Sequence, residues 1–282
     1  MKKPVLSRRD FLRSLVSMGA LAGAGSGLLR MLSSDEVRAN GMQASGRTRT
    51  RDLLGSSPSM DDAKWVMVID LARCDGCRKC TLACKSMHFL PPGQEWIKVY
   101  TIEPEGLAAP YWFPRPCMHC DNPPCVKVCP VGATYKRLDG IVMQDQERCI
   151  GCRLCMAACP YAARSFNWGE PPHTPEELSQ PYSVEWNFPH RRGVVEKCIL
   201  CPGAIYNGTL PGCASGCPTG ALYLGNEYSD TVSNSLAETV RLSQQLAQGA
   251  AFRFMEDLGT KPRVYYLPPR DRQYVPPSEL IR

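Results

Sequence analysis

The chain has 282 residues, enough for one large or two small domains with a buried core. Apolar residues make up 44% of it, yet no window holds the roughly eighteen consecutive apolar residues of a membrane-spanning helix, so the body is expected to be soluble. Of the formal +6 charge, +4 lies in residues 1–39; the remaining 26 basic and 24 acidic groups form no aromatic-interleaved basic stripe, and nucleic acid is not an expected partner.

Residues 1–39 read as an address. Lys2 and Lys3 precede Ser7-Arg8-Arg9-Asp10-Phe11-Leu12, followed by a mildly apolar Ala/Gly/Leu stretch from Leu15 to Leu29. A twin-arginine pair ahead of a weak apolar segment is the bacterial signal for export in the folded state. Val37-Arg38-Ala39 offers a cleavage site, and Ala44 a second one. The mature chain is thus expected in the periplasm, with residues 40–64 as a linker.

Sixteen cysteines then organise the chain, and none lies outside four groups. Trp65–Asp70 reads as a strand of a small hairpin. It leads to quartet one, Cys74, Cys77, Cys80 and Cys84, spaced C-x2-C-x2-C-x3-C. A Pro-rich insertion, 87–116, is expected to wrap the core. Quartet two is Cys117, Cys120, Cys125 and Cys129, with two extra residues between its second and third members. Leu138-Asp139-Gly140 signals a turn, and Gly140–Asp145 a second hairpin strand. Quartet three, Cys149, Cys152, Cys155 and Cys159, returns to the first spacing. After a second insertion, 167–196, quartet four is Cys198, Cys201, Cys213 and Cys217. Asn234–Leu258 has helix-forming composition, with Leu236, Val240, Leu246, Phe254 and Leu258 as its apolar positions.

Quartets two, three and four end in Cys-Pro. The C-x2-C-x2-C-x3-C-P run is the bacterial ferredoxin signature, in which the fourth cysteine serves a neighbouring 4Fe–4S cluster. Three thiolates on a tight loop cap one side of a cubane, and the fourth, expected at the start of a following short helix begun by Pro, points elsewhere. Disulfide frameworks suit short chains without a core, and structural zinc uses C-x2-C pairs on longer loops; neither matches this spacing. His119 lies between two ligands of a complete quartet and reads as packing. His88, His173 and His190 sit in separate segments and form no constellation, while Lys127 and Lys197 read as mainly solvated charges beside ligands. Trp65, Trp96, Trp112, Trp168 and Trp186 read as core or interface anchors. No dinucleotide fingerprint, phosphate loop or nucleophile–base pair is present.

The four quartets in this order, with the long insertion in the last, resemble the four-cluster iron–sulfur subunits of the complex iron–sulfur molybdoenzyme family and related quinone-linked assemblies. The resemblance runs from about Val66 to Tyr266. Its most specific stretches are Pro116 to Cys125, Cys149 to Phe166 and Lys197 to Gly225, with Leu258–Leu267 similar to the family's C-terminal strap. It implies an α+β fold of two interlocked ferredoxin-like modules over residues 65–225, quartets two with three and one with four. Pro-rich insertions and a C-terminal helix and strap (226–282) complete it.

The implied ligand sets are Cys74, Cys77, Cys80 with Cys217; Cys198, Cys201, Cys213 with Cys84; Cys117, Cys120, Cys125 with Cys159; and Cys149, Cys152, Cys155 with Cys129. Cys152 is intact, so four 4Fe–4S clusters are expected. The implied function is electron relay between a membrane-integral quinone-interacting subunit and a molybdopterin catalytic subunit or a cytochrome, with membrane association through partners. A directly catalytic reductase of a small sulfur or nitrogen oxide is the alternative; it needs a cluster with a vacant position or a second cofactor.

Overall fold

The computed structural model describes residues 62–103 and 110–269. The expected export signal, most of the expected linker and the tail from residue 270 lie outside the described residues. In chain order the elements are β1 (Trp65–Asp70), α1 (Lys79–His88), β2 (Lys98–Ile102), β3 (Tyr111–Arg115), α2 (Pro124–Lys127), β4 (Thr134–Lys136) and β5 (Val142–Gln144). They continue with α3 (Leu154–Ala157), β6 (Arg164–Phe166), α4 (Pro175–Leu178), β7 (Val195–Lys197), α5 (Pro202–Tyr206) and α6 (Gly212–Ser215). The last are β8 (Leu222–Asn226), β9 (Thr231–Ser233), β10 (Thr239–Arg241), α7 (Leu242–Gln248), β11 (Phe252–Arg253) and β12 (Val264–Leu267). Helix and strand are mixed, as an α+β reading requires.

All six residues of β1 are buried. Its near-continuous apolar run suits a central strand covered on both faces. Instead of forming a local hairpin, as the sequence suggested, β1 pairs antiparallel with β8 and parallel with β12, within a sheet ordered β10-β9-β8-β1-β12-β11. Side-chain alternation divides its work. Trp65, Met67 and Ile69 face the main core, which includes cysteines of quartets one, two and four. Val66 and Val68 pack with Tyr223, Val232, Leu242 and Leu267 in a second core on the other side. The second expected hairpin does form, from β4 and β5, with Gly140 at φ +85° in its turn.

The helices depart from expectation in an instructive way. The fourth cysteine does not begin a helix; it follows one. Cys125, Cys155 and Cys213 sit in the first turn of α2, α3 and α6, and Cys129, Cys159 and Cys217 come just after these helices end. Proline explains the stop, because Pro130, Pro160 and Pro218 lack the N–H that another turn would need. Quartet one has Lys85 in that position, and there α1 runs through Cys84 to His88. The helices meet in pairs, α1 with α6 and α2 with α3.

The segment 234–258 is not one helix. Val240 pairs with Val232 in adjacent strands, Gly249 closes α7, and Phe252–Arg253 pair with Tyr266–Tyr265. β-Branched Thr239 and Val240 favour the strand. The chain leading into β12 then closes over quartet two. Asp121 N–H donates to the Lys261 carbonyl at 2.8 Å, and Asn122 N–H to the Thr260 carbonyl at 3.0 Å. Arg263, 3% exposed, donates to the Trp65 carbonyl at 2.8 Å and pairs with Asp121 at 3.2 Å and Glu227 at 3.0 Å.

One backbone feature repeats at all four quartets. The residue before the second cysteine has positive φ: Gly76 (+73°), His119 (+43°), Gly151 (+70°) and Leu200 (+60°). The left-handed turn lets successive sulfurs point inward from a tight loop. Glycine is doubly required at position 151, where a Cβ would lie 2.2 Å from the Gly193 carbonyl oxygen. At Gly132, φ is +63° but the surrounding space is open. Gly132→Ala should therefore cost about 1–2 kcal/mol, the left-handed penalty alone. Gly151→Ala should cost about 3 kcal/mol or more, since backbone must move. Thermal midpoints should rank wild type, then Gly132→Ala, then Gly151→Ala; equal midpoints for the two variants would refute the steric argument.

Candidate functional site

The fold gathers sulfurs from different quartets. Cys117, Cys120 and Cys125, on the loop after β3 and on α2, line a cavity with Cys159, which follows α3. The cavity measures about 330 Å³ including its mouth, and Pro123, Pro124, Val142, Pro160 and Tyr161 supply apolar walls. A second cavity, about 270 Å³, is lined by Cys149, Cys152 and Cys155 together with Cys129, which follows α2. In quartets one and four the sulfurs sense one another's charge. Ionised Cys217 opposes ionisation of Cys74, Cys77 and Cys80. Cys84 is similarly coupled to Cys201 and Cys198, and Cys213 to Cys201, Cys198 and Cys84. All sixteen thiols are free of disulfides.

Burial dominates the chemistry of these groups. It pushes the thiols of Cys74, Cys120 and Cys201 up to about 12, and those of Cys80 and Cys198 to about 11. Cys84 and Cys213 lie well above the usual thiol range. Such sulfurs become thiolates only if a cation takes up their charge. Cys129 shifts the other way. Burial opposes its ionisation too, but the N–H groups of Thr134, Val131, Ala133 and Gly132 outweigh it and hold the pKa below the ordinary value. The Cys-Pro-x-Gly-Ala turn creates this nest of donors. Its counterpart after Cys217 gives an Ala221 N–H to the sulfur at 3.3 Å, with Gly220 at φ +65°.

Four sulfurs from two loops, apolar walls and backbone donors aimed at sulfur fit a ferredoxin-type cubane. When bound, such a cluster supplies reversible one-electron chemistry. The protein's part is to hold the thiolates, exclude water and place charge nearby.

Several polar residues behave otherwise than the sequence suggested. Lys197 is not solvated; it is 0% exposed and donates to the carbonyls of Val142 and Cys198. His88 and His190 are neighbours. His190 Nε2 donates to the His88 carbonyl at 2.7 Å and Nδ1 to Glu196 at 2.7 Å. Burial opposes the His190 charge, but Glu196 raises its pKa overall. His88 Nδ1 donates to the Trp186 carbonyl at 2.8 Å and Nε2 lies 3.1 Å from Cys201 Sγ, while burial lowers its pKa to about 4. Glu177 accepts from His190 N–H at 2.8 Å and lies 3.0 Å from His173. His119 does pack, as expected, with Nδ1 accepting from Val142 N–H at 3.1 Å. Trp65 and Trp96 are core residues, whereas Trp168 is 69% exposed beside Arg153. Sequence reasoning missed Arg164 altogether; its only signal was a cation five residues beyond Cys159, on the strand that the cysteine turn feeds.

Two family profiles, both described as a 4Fe-4S dicluster domain, match residues 73–133 and 108–174. A selenate reductase subunit of Mesobacillus selenatarsenatis is 40% identical over 223 residues, covering 74% of this chain and 73% of that one. The menaquinone reductase iron-sulfur cluster-binding subunit of Nitratidesulfovibrio vulgaris is 38% identical, covering 74% and 90%. A tetrathionate reductase subunit of Salmonella typhimurium is 36% identical, covering 72% of each chain. Identity at this level over most of both chains, joined to the cysteine geometry, leaves one conclusion: this protein belongs to the ferredoxin-type iron–sulfur electron-transfer subunits of the complex iron–sulfur molybdoenzyme family.

Proposed function

We propose that the chain carries four 4Fe–4S clusters in a row and relays electrons through them between a membrane quinone-linked subunit and a catalytic partner. The ligand sets are Cys74, Cys77, Cys80 and Cys217; Cys84, Cys198, Cys201 and Cys213; Cys117, Cys120, Cys125 and Cys159; and Cys129, Cys149, Cys152 and Cys155. Each fourth cysteine crosses to the other quartet of its module, so the two quartets of a module interlock and neither completes a cluster alone.

The observation that carries this reading is the continuity of the sulfur groups. Cys80 couples to Cys84 and Cys213, joining the first set to the second. Cys117 donates its N–H to Cys198 sulfur, joining the second to the third. Cys125 couples to Cys155, joining the third to the fourth. The run ends in exposed cysteines, Cys77 at one end and Cys152 at the other, while the second and third sets contain no exposed cysteine. An electron path needs an accessible terminus at each end and shielding between them, and this arrangement supplies both.

The relatives support partner subunits in a reductase complex. One is a menaquinone reductase subunit, and others are subunits of selenate and tetrathionate reductases. They support a quinone-linked partner on one side; the molybdopterin subunit or cytochrome on the other side is what the family resemblance implies. The twin arginines, Arg8 and Arg9, support export in the folded state, with the clusters inserted beforehand and membrane attachment made through partners.

Anaerobically purified protein should contain about sixteen irons and sixteen sulfides per chain; eight or fewer of each would end the four-cluster reading. Replacing Arg8-Arg9 by Lys-Lys should leave the chain in the cytoplasm with its clusters intact, as read by fractionation and visible absorption. Unchanged export of the Lys-Lys chain would remove the twin-arginine route from the account.

A further inference from the structure

Arg164 is buried, 7% exposed, between the two cysteine-lined cavities. Its own side chain lines the cavity of Cys117, Cys120, Cys125 and Cys159. Its Nη1 donates to Thr134 Oγ1 at 3.2 Å and Gln144 Oε1 at 3.1 Å, and both acceptors line the cavity of Cys129, Cys149, Cys152 and Cys155. Nη2 is shut off from solvent and has no oxygen or nitrogen acceptor among the protein atoms, while the guanidinium reaches the Cys125 sulfur.

A buried guanidinium without an anion is strongly unfavourable, and the neutral acceptors on Nη1 orient the fork without balancing it. Iron cubanes held by thiolates carry net negative charge, which increases when each takes up an electron. We propose that Arg164 is a shared positioning cation: from one place it offers its Nη2 to the third ligand set, faces the fourth, and raises the reduction potentials of both clusters. The inference rests on the ligand sets proposed above. Arg164 would keep its proton throughout and, without reacting, set the level at which both clusters accept an electron. Lys197, the other fully buried cation nearby, does not compete for this role, because it donates to two carbonyls.

The test is an EPR-monitored redox titration of the intact, fully loaded chain carrying Arg164→Met or Arg164→Lys. With iron and sulfide at wild-type levels, Arg164→Met should lower two of the four potentials by a factor of ten or more in the oxidised-to-reduced ratio, about 59 mV each, and leave the other two in place. Arg164→Lys, which keeps the charge but loses the planar fork, should shift the same pair less. Unmoved potentials in the Met variant, or an equal fall with Lys, would overturn the proposal. Should the Met variant fail to load, the Lys variant decides. Full loading with potentials near wild type upholds the role of charge; failure to load or a tenfold fall contradicts it. A wild-type chain short of about sixteen irons would instead indict the ligand sets, so the two failures are distinguishable.

Discussion

Desolvated sulfur is the constraint around which this molecule is arranged. Ten of the sixteen cysteines are buried, most against apolar side chains that favour the neutral thiol. Holding them as thiolates needs cationic charge placed among them, and iron provides it in ferredoxin-type proteins. The protein's own contributions are smaller and local. They are the N–H nest at Cys129, the donor from Ala221 to Cys217, and buried cations at Arg164 and Lys197. The six-stranded sheet has a matching task. One face of β1 forms the floor under quartets one, two and four, and β12 brings the C-terminal chain back to close the loop of quartet two.

Much of the site was legible because metal ligation imposes spacing. The four quartets could be read directly, and the crossing of Cys159 and Cys129 between them was implied by the resemblance. The backbone behind that geometry was only half visible. Gly76 and Gly151 announce a left-handed residue before the second cysteine, but His119 and Leu200 adopt the same conformation without any sequence sign. There the demands of the cysteine loop override local preference. Proline was visible, but its effect ran opposite to expectation. After the fourth cysteine it stops a helix rather than starting one, and the continuation of α1 past Cys84, where Lys85 replaces it, shows the difference.

The rest of the fold was hidden because its contacts are remote in sequence. Nothing local to Trp65–Asp70 says that its partners are β8 and β12, from the far end of the chain. Composition suggested a long helix over 234–258, but pairing of Val240 with Val232 and of Phe252 with Tyr266 divides it into strand, short helix and strand. The buried polar groups were the least predictable. His88 and His190 are brought together by packing around Trp96, with rings 4.9 and 6.2 Å from its own. Lys197 is buried only because two carbonyls receive it.

These observations describe a protein whose chemistry belongs to its clusters and whose residues set where electrons can enter, rest and leave. In the proposed relay, exposed Cys77 and Cys152 stand at the two ends, and the ligand sets between them contain no exposed cysteine. The most direct measurement is an anomalous-difference map at the iron absorption edge from crystals of the loaded chain. The account predicts four compact groups of iron, each bounded by three sulfurs of one quartet and one sulfur of another, with Cys159 and Cys129 exchanged between quartets two and three. Iron closed by all four cysteines of a single quartet, or present as isolated single ions, would contradict it.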